Sequence, residues 1–321
     1  MPERRRPLTK RSKKSSRKRS APTRPAKVAR ADQSRLLLGA HVSISGGTHE
    51  APARAKAIGA TALQMFTKMA QRWAERDCAD EECRAFRTAL AATEVRVTIA
   101  HDSYLINLAS PDPALRRRSI ESFVAELARC EALGLNFLVS HPGNYIDDQI
   151  AGIARNADAI SEALERVPGG TGLCMELTSG SGTAIGSSFE ELATLIEQVS
   201  PTVRGRMGVC VDTCHAYSAG YDLVKDFDGV WQRFADAAGI ERLRVLHLND
   251  SKTPFASRRD RHELIGEGSL GPGPFRRIMS DDRFVNVPKL IETPKLDDAT
   301  KTDRRMLTRL RRYAADGVAG S

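Results

Sequence analysis

The segment MGVCVDTCH, residues 207–215, contains a short apolar run with two valines and then, without a break, a carboxylate and an imidazole. Such a run is typical of a buried strand, and the polar residues follow where the strand would end. Seven other runs of this kind occur along the chain, separated by charged, alanine-rich segments. The eight runs are residues 36–41, 62–66, 95–100, 136–140, 173–176, 207–211, 243–248 and 289–292.

The segments between these runs have helical spacing, which is clearest in residues 50–58, 113–133, 150–166, 189–199, 227–238 and 302–313. Strands that alternate with helices pair in parallel, because each helix returns the chain to the starting edge of the sheet. Eight such units favour closure into a (β/α)8 TIM barrel. An open, doubly wound sheet is the alternative, but Ser45-Gly46-Gly47 is too short for its usual phosphate-binding loop. Ser188 with Glu191 predicts a capping box at one helix start.

The first 34 residues differ in composition from the rest of the chain. They contain 13 Lys and Arg against two acidic residues, so the whole-chain charge of +9 leaves −2 for the other 287 residues. We expect residues 1–34 to be disordered, because such a charged segment cannot bury enough apolar surface. It could be a solvated extension, a non-specific nucleic-acid contact or an import signal. We expect one barrel domain over residues 35–316 and a short tail over 317–321.

Composition and cysteine usage restrict the class of protein. The chain is 41% hydrophobic and 28% charged, which is typical of globular proteins, and it lacks the run of roughly 20 apolar residues that a membrane helix needs. Its six cysteines include no C-x-x-C pair, and no secretory signal is recognisable. We therefore expect reduced thiols in a cytoplasmic protein, or a nuclear one in a eukaryotic host. Most thiols are interpreted as core residues, and a metal role stays open for Cys210 and Cys214.

Six residues of metal-binding type lie at or near the ends of predicted strands. They are His101, His141, Glu176, Asp212, His247 and Glu292. In a parallel barrel the carboxyl ends of all strands meet on one face, where barrel enzymes have their active sites. One histidine at such a position would more often be an ordinary core or loop residue. Six together favour a metal site, because converging carboxylates and imidazoles are costly to bury without a cation.

Three further candidates lie in loops beyond the strand ends. His215 follows Asp212 by three residues, and Asp260 and His262 follow the seventh run. A zinc ion takes four or five ligands, so nine candidates suit three ions that share a carboxylate. Imidazole-rich ligation favours Zn²⁺ over Mg²⁺, and Mn²⁺ is an alternative at a carboxylate-rich position.

These candidates lie in motifs that resemble the endonuclease IV family of abasic-site endonucleases. The matching segments are GAHVS 39–43, HDSYLINL 101–108, HPG 141–143, VDTCH 211–215, AGYD 219–222, HLNDSK 247–252, DRH 260–262, GEG 266–268 and ETP 292–294. The resemblance extends over residues 37–313, which leaves out the basic segment and the last few residues.

The resemblance implies a ligand set, a substrate and a reaction. The implied ligands are His101, His141 and Glu176 for one zinc, Glu176, Asp212, His247 and Glu292 for a second, and His215, Asp260 and His262 for a third. The implied substrate is duplex DNA with an abasic site or a blocked 3′ end. Cleavage 5′ of the lesion would leave 3′-hydroxyl and 5′-deoxyribose-phosphate ends. Glu176 and Glu292 are the catalytic candidates, and the sequence does not separate their roles. We expect a monomer.

The DNA-facing segments depart from the family pattern. Gln71 and Arg72 precede Trp73 in the reverse of the usual order, in the loop that fills the gap of the flipped nucleotide in the family. Tyr104 matches an aromatic residue that the family wedges against DNA; packing beneath the loop is the alternative. Candidates for phosphate contacts are Lys68, Arg72, Lys252, Arg258 and Arg261. Ordinary solvated loop residues are the alternative for these.

Two other classes of function stay open at this point. A divalent-metal sugar isomerase or epimerase can use the same barrel with a carboxylate and histidine site, but it normally needs one or two ions. A non-catalytic DNA-binding protein would act through its basic segment, and deletion of residues 1–34 would then abolish function.

Overall fold

The computed structural model describes residues 36–317, in which eight parallel strands close into a barrel. In chain order, the strands of the described residues, including two outside the barrel, are β1 (Leu38–His41), β2 (Ala62–Phe66), β3 (Val97–His101), β4 (Phe137–Ser140), β5 (Gly172–Glu176), β6 (Met207–Asp212), β7 (Leu243–His247), β8 (Asp250–Ser251), β9 (His262–Glu263) and β10 (Lys289–Ile291). The barrel order is β1-β10-β7-β6-β5-β4-β3-β2, whereas β8 and β9 form a small antiparallel pair. The predicted TIM barrel is confirmed, and the open doubly wound sheet is excluded.

Helices follow the barrel strands and cover the outside of the barrel. They are α1 (Glu50–Ala57), α2 (Asp80–Ala91), α3 (Pro113–Leu133), α4 (Gln149–Arg166), α5 (Phe189–Gln198), α6 (Thr213–Ala219), α7 (Phe227–Ala238), α8 (Pro272–Ser280) and α9 (Ala299–Gly317). Helices α2, α6 and α8 are not among the segments predicted from spacing, and α2 buries only Cys83 and Phe86. Within the described residues, no helix has the length and apolar character to cross a bilayer.

The predicted parts at both chain ends remain predictions. The basic segment 1–34 lies outside the described residues, as do all but the first residue of the predicted tail 317–321.

The capping prediction at α5 is confirmed in part. The Ser188 hydroxyl accepts a hydrogen bond from the Glu191 backbone N–H at 3.1 Å. The Glu191 carboxylate does not return to Ser188, because it accepts from the backbone N–H groups of Gly186 at 2.8 Å and Ser187 at 3.2 Å. The helix start is fixed through the preceding turn instead of through a closed capping box.

The barrel interior is a small apolar cluster, separate from the larger core between strands and helices. Its members are Ala62, Ile99, Val139, Cys174, Cys210, Val245 and Leu290, one from each of seven strands. Successive side chains of a strand point to opposite faces, so the residue two positions further on also points into the barrel. The interior therefore continues, above this apolar layer, into the residues at the open end. Five of the six cysteines are buried and all are free thiols, as expected for core residues.

Lys289 precedes the inward-facing Leu290, so it points outward from the barrel, and it provides a pH test of the burial there. It is 2% exposed, and its ammonium donates to the backbone carbonyls of Phe284 at 2.5 Å and Val287 at 2.8 Å. Burial lowers the pKa of Lys289 from 10.5 to about 8. Between these values the unfolded chain binds the additional proton, so the stability of the folded state rises with pH. We predict that the free energy of unfolding of the wild type, minus that of Lys289→Met, increases from pH 8 to pH 10 in urea titrations. A flat or falling difference would contradict the burial argument.

Candidate metal centre

Every barrel strand contributes one polar side chain to the open end of the interior. These side chains are His41, Gln64, His101, His141, Glu176, Asp212, His247 and Glu292. Seven of them follow a residue of the inner apolar cluster by two positions, and His41 follows Gly39 by two. The strand period thus brings together residues that are up to 251 positions apart in the sequence.

The nine predicted ligands fall into three groups whose potential ligand atoms lie within 4.8 Å of one another. The groups are His101, His141 and Glu176; Glu176, Asp212, His247 and Glu292; and His215, Asp260 and His262. Glu176 belongs to the first two groups. The structure therefore brings all nine side chains together in the arrangement that the resemblance implied, although their roles as ligands remain a proposal.

Glu176 lies at the centre of the cluster and is fully buried. Its Oε2 lies 3.2 Å from His101 Nε2 and 3.0 Å from His141 Nε2. Its Oε1 lies 2.9 Å from His247 Nδ1 and 3.4 Å from His215 Nδ1. One oxygen of Glu176 thus faces the histidines of the first group and the other faces His247 of the second group, as a carboxylate that bridges two metal positions requires.

The third group is closer to solvent because two of its members come from the segment after β8. Asp260 Oδ2 lies 3.2 Å from His215 Nε2, and Asp260 Oδ1 lies 3.1 Å from His262 Nε2. Asp212 fixes the start of α6, since its Oδ1 accepts from the backbone N–H of Cys214 at 2.6 Å and of His215 at 3.0 Å. His215, a member of the third group, is therefore positioned by Asp212, a carboxylate of the second group.

The imidazole orientations fit a cation. Nδ1 lies close to a backbone carbonyl in three of them: His101 to Asp102 O at 3.0 Å, His215 to Leu177 O at 2.9 Å, and His262 to Glu292 O at 3.3 Å. A carbonyl is an acceptor, so it keeps the proton on Nδ1 and leaves the Nε2 lone pair free.

Each free Nε2 lone pair is directed at carboxylate oxygens, which are also acceptors. In the described residues the buried Nε2 atoms of His215 and His262 have no hydrogen-bond partner. Two acceptors that face each other need a proton or a metal ion between them, and mixed nitrogen and oxygen ligands suit zinc.

The pKa shifts lead to the same conclusion. Burial lowers the pKa of His101, but the hydrogen bond and charge of Glu176 outweigh it and raise the pKa to about 10. Burial also lowers the pKa of His262, and the charge of Asp212 with the adjacent Asp260 carboxylate raises it to about 9. Burial raises the pKa of Glu176, whereas the charges of His247 and His141 hold it well below its ordinary value. These shifts show that positive charge beside the carboxylates is electrostatically favourable.

Sequence reasoning missed several polar residues that support the cluster. Gln64 donates to Glu292 Oε1 at 2.6 Å, and its own Oε1 lies 2.7 Å from His247 Nε2. Asn249 donates to Asp212 Oδ2 at 2.6 Å and accepts from the Glu292 backbone N–H at 2.8 Å. The two-residue period from Ala62 would have identified Gln64. Asn249 follows His247 by two residues in the HLNDSK segment, but the sequence did not indicate its contact with Asp212.

Beside the ligands lies a cavity of about 310 Å³ lined by ligand residues, Phe66, Tyr104 and Lys295. Tyr104 and Lys295 also line an adjoining cavity of about 810 Å³, together with Gln71 and Arg72. The predicted DNA contacts Gln71, Arg72, Tyr104, Lys252 and Arg261 are exposed, as is Arg258.

Lys68 is placed differently from its predicted role as a phosphate contact. It is 4% exposed, and its ammonium bonds to Ser122 Oγ at 3.0 Å and to the Glu75 carboxylate at 2.5 Å. Because that charge is already paired inside the protein, we interpret Lys68 as an anchor of the loop that carries Gln71 and Arg72, and we do not retain it as a DNA contact.

Known proteins share both the sequence and the fold. The family described as Xylose isomerase-like TIM barrel matches residues 52–310. The protein named "Probable endonuclease 4" of Chloroflexus aurantiacus is 44% identical over 278 residues, which are 85% of this chain and 96% of that protein. This chain belongs to the endonuclease IV family. It is an AP endonuclease of the endonuclease IV type, a DNA-repair hydrolase of phosphodiester bonds.

The structural comparison agrees with this membership. The crystal structure of endonuclease IV from Thermus thermophilus superposes with a TM-score of 0.77 at 33% identity, over 87% of this chain and 99% of that one. A 3-keto-D-glucoside 4-epimerase from E. coli superposes with a TM-score of 0.62 at 14% identity, over 86% and 99% of the two chains. The likeness to the epimerase concerns the fold alone.

Proposed function

We propose that this endonuclease IV-type enzyme binds zinc and hydrolyses the phosphodiester 5′ of an abasic site in duplex DNA. The products would be a 3′-hydroxyl and a 5′-deoxyribose-phosphate end, and the same reaction would trim blocked 3′ ends. The observation that carries the proposal is the set of three adjoining ligand groups, joined through Glu176, beside a cavity of about 310 Å³.

The three groups would each hold one zinc ion, with Glu176 shared between the first two. When bound, zinc supplies Lewis acidity, which neutralises phosphate charge and makes water more acidic near neutral pH. His101, His215 and His262 are oriented for this role by the carbonyls on their Nδ1 atoms. The ligand set contains both imidazoles and carboxylates, so Mn²⁺ is an alternative at the carboxylate-rich second position.

Glu292 is better suited than Glu176 to orient the attacking water. Glu176 is fully buried and both of its oxygens contact imidazoles, whereas the Glu292 side chain is 19% exposed and lines the cavity. Gln64 donates to Glu292 Oε1, whereas Oε2 lies 3.5 Å from His247 Nδ1 and would be the oxygen that accepts a proton from water. The water oxygen then bonds to phosphorus as the bond from phosphorus to the 3′ oxygen breaks. The 3′ oxygen takes up a proton, and the phosphate stays on the deoxyribose.

An abasic nucleotide would be selected because it has no base to unstack or unpair, so its extrusion toward the cavity costs less than that of a normal nucleotide. Tyr104 contacts Phe66 edge to face at 5.4 Å between ring centroids and is 64% exposed. It can therefore contact the DNA beside the lesion while its ring is supported from below. Gln71 and Arg72 line the adjoining cavity and would contact the gap in the duplex.

A nicking assay tests the activity. We predict that the full chain, incubated with a duplex that carries one tetrahydrofuran abasic analogue, cuts 5′ of the analogue and leaves an undamaged duplex intact. A chelator should abolish the cut and added zinc should restore it. Cutting that persists in chelator, or no cut at the analogue, would contradict the proposal.

The role of Glu292 can be separated from DNA binding. We predict that Glu292→Gln lowers the rate of single-turnover cleavage at least about 100-fold, as expected for loss of a general base, and changes DNA affinity by less than about threefold. Glu94→Gln is the matched control, because Glu94 is exposed between α2 and β3, at the amino end of the strands, and should leave both quantities unchanged. Equal losses of rate and affinity in Glu292→Gln would assign this residue to binding.

Metal content separates the nuclease from the sugar isomerase or epimerase class. We predict about three zinc ions per chain by elemental analysis, and about two in Asp260→Asn, since the third group loses a carboxylate. Glu94→Gln should retain the wild-type content. One or two Mn²⁺ or Mg²⁺ ions, unaffected by Asp260→Asn, would support the isomerase alternative.

A further inference from the structure

Three consecutive loops at the open end of the barrel each expose one large apolar side chain. Met69 follows β2 and is 61% exposed, Tyr104 follows β3 and is 64% exposed, and Ile146 follows β4 and is 62% exposed. Strands β2, β3 and β4 are neighbours in the barrel, so these residues form one arc of its rim, the apolar arc. Neighbouring strands are about 4.8 Å apart, so the three strands that carry these loops together span roughly 10 Å of the rim.

Ile146 is held in a backbone conformation that β-branched residues avoid. Its φ is 65°, and the N–H of Asp147 donates to the carbonyl of Tyr145 across it at 2.7 Å. A positive φ within a hydrogen bond from residue i to residue i+2 marks the rare, strained form of the γ-turn. Glycine would adopt it without steric cost, whereas isoleucine is among the least suited residues.

Arg155, from the second turn of α4, clamps this turn on both sides of Ile146. Its guanidinium donates to both carboxylate oxygens of Asp147, at 2.5 and 3.1 Å, and to the carbonyl of Tyr145 at 3.2 Å. Its Nε donates to the carbonyl of Ala109 at 2.8 Å. The strained turn is thus tied to the preceding loop as well as to its own helix.

The residues before the turn are also fixed. Asn107 receives a hydrogen bond from the backbone N–H of Asn144 and donates one to its carbonyl, both at 3.0 Å. The backbone N–H of Tyr145 donates to the carbonyl of Thr183 at 3.1 Å. Strain of this kind persists only where the surroundings impose it, and such positions cluster at binding sites.

The fold itself does not need an isoleucine at this position. The side chain is exposed, and a glycine there would remove the strain at once. The strained, hydrogen-bonded turn instead directs the aliphatic side chain of Ile146 outward, five residues beyond His141 at the open end of the barrel.

We propose that Ile146 inserts into the minor groove of bound DNA beside the lesion, as the pre-positioned member of the apolar arc. The inference rests on the proposed function, because a phosphodiester that reaches the ligand groups lays the duplex across this rim. Isoleucine, leucine and methionine are side chains that wedge between base steps from the minor groove and unstack them. An abasic site weakens the local stack, so the wedge enters at low cost where the lesion lies.

The test uses a duplex with a tetrahydrofuran site, a 5′ linkage that resists hydrolysis, and 2-aminopurine on either side of the lesion. Wild-type protein should raise 2-aminopurine fluorescence through unstacking. Ile146→Gly should remove most of that rise and bind this duplex roughly tenfold more weakly, as expected for the loss of one buried aliphatic side chain. Its Tm should be unchanged or a few degrees higher, because glycine relieves the strain.

Two further variants make the result decisive. Ile146→Met keeps apolar bulk and should restore both affinity and fluorescence, while Val285→Ala removes an exposed aliphatic side chain before β10, at the opposite end of the barrel, and should change neither. Wild-type affinity and fluorescence in Ile146→Gly would overturn the inference. So would a lowered Tm in Ile146→Gly together with an Ile146→Met protein that recovers the wild-type Tm but does not unstack the DNA. Failure of the wild type to nick the cleavable duplex would instead refute the proposed function.

Discussion

The alternation of side chains along a strand is the constraint on which the rest of the structure depends. In a closed parallel barrel each strand can send only every second residue inward, and the interior is narrow. In this chain the inward positions are apolar in the middle of the barrel and polar at the carboxyl end, as in Cys174 followed by Glu176 and Val245 followed by His247. Polar groups from all eight strands consequently meet above a dry apolar layer.

The convergence of these polar side chains places several charges in a buried region, where solvent cannot screen them. Glu176, Asp212 and His247 are fully buried, and the imidazoles of His101 and His215 are nearly so. Isolated buried carboxylates would be strongly destabilising, so the cluster is stable only when positive charge lies among them. The supporting amides, such as Gln64, fix the orientation of these groups without adding charge. This balance is the physical reason why we regard the cluster as a cation site.

The sequence predicted the barrel and brought the nine candidate residues to one face because both follow from periodicity and strand ends, which are local properties. It could not predict features that depend on packing between distant segments. Lys68 looked like a free cation, but Glu75 and Ser122 enclose it. The strain at Ile146 depends on Arg155, which no pattern links to the turn. Glu292 and Glu176 were equivalent in the sequence, and only their different exposure distinguishes them.

The central claim is that the inward residues at the strand ends, with the loop ligands, hold three zinc ions. Anomalous diffraction from crystals of the full chain, collected on both sides of the zinc absorption edge, tests it most directly. Three edge-dependent peaks are expected, one within each of the three ligand groups, with Glu176 between two of them. Fewer peaks in these groups, or zinc bound only elsewhere on the chain, would contradict it.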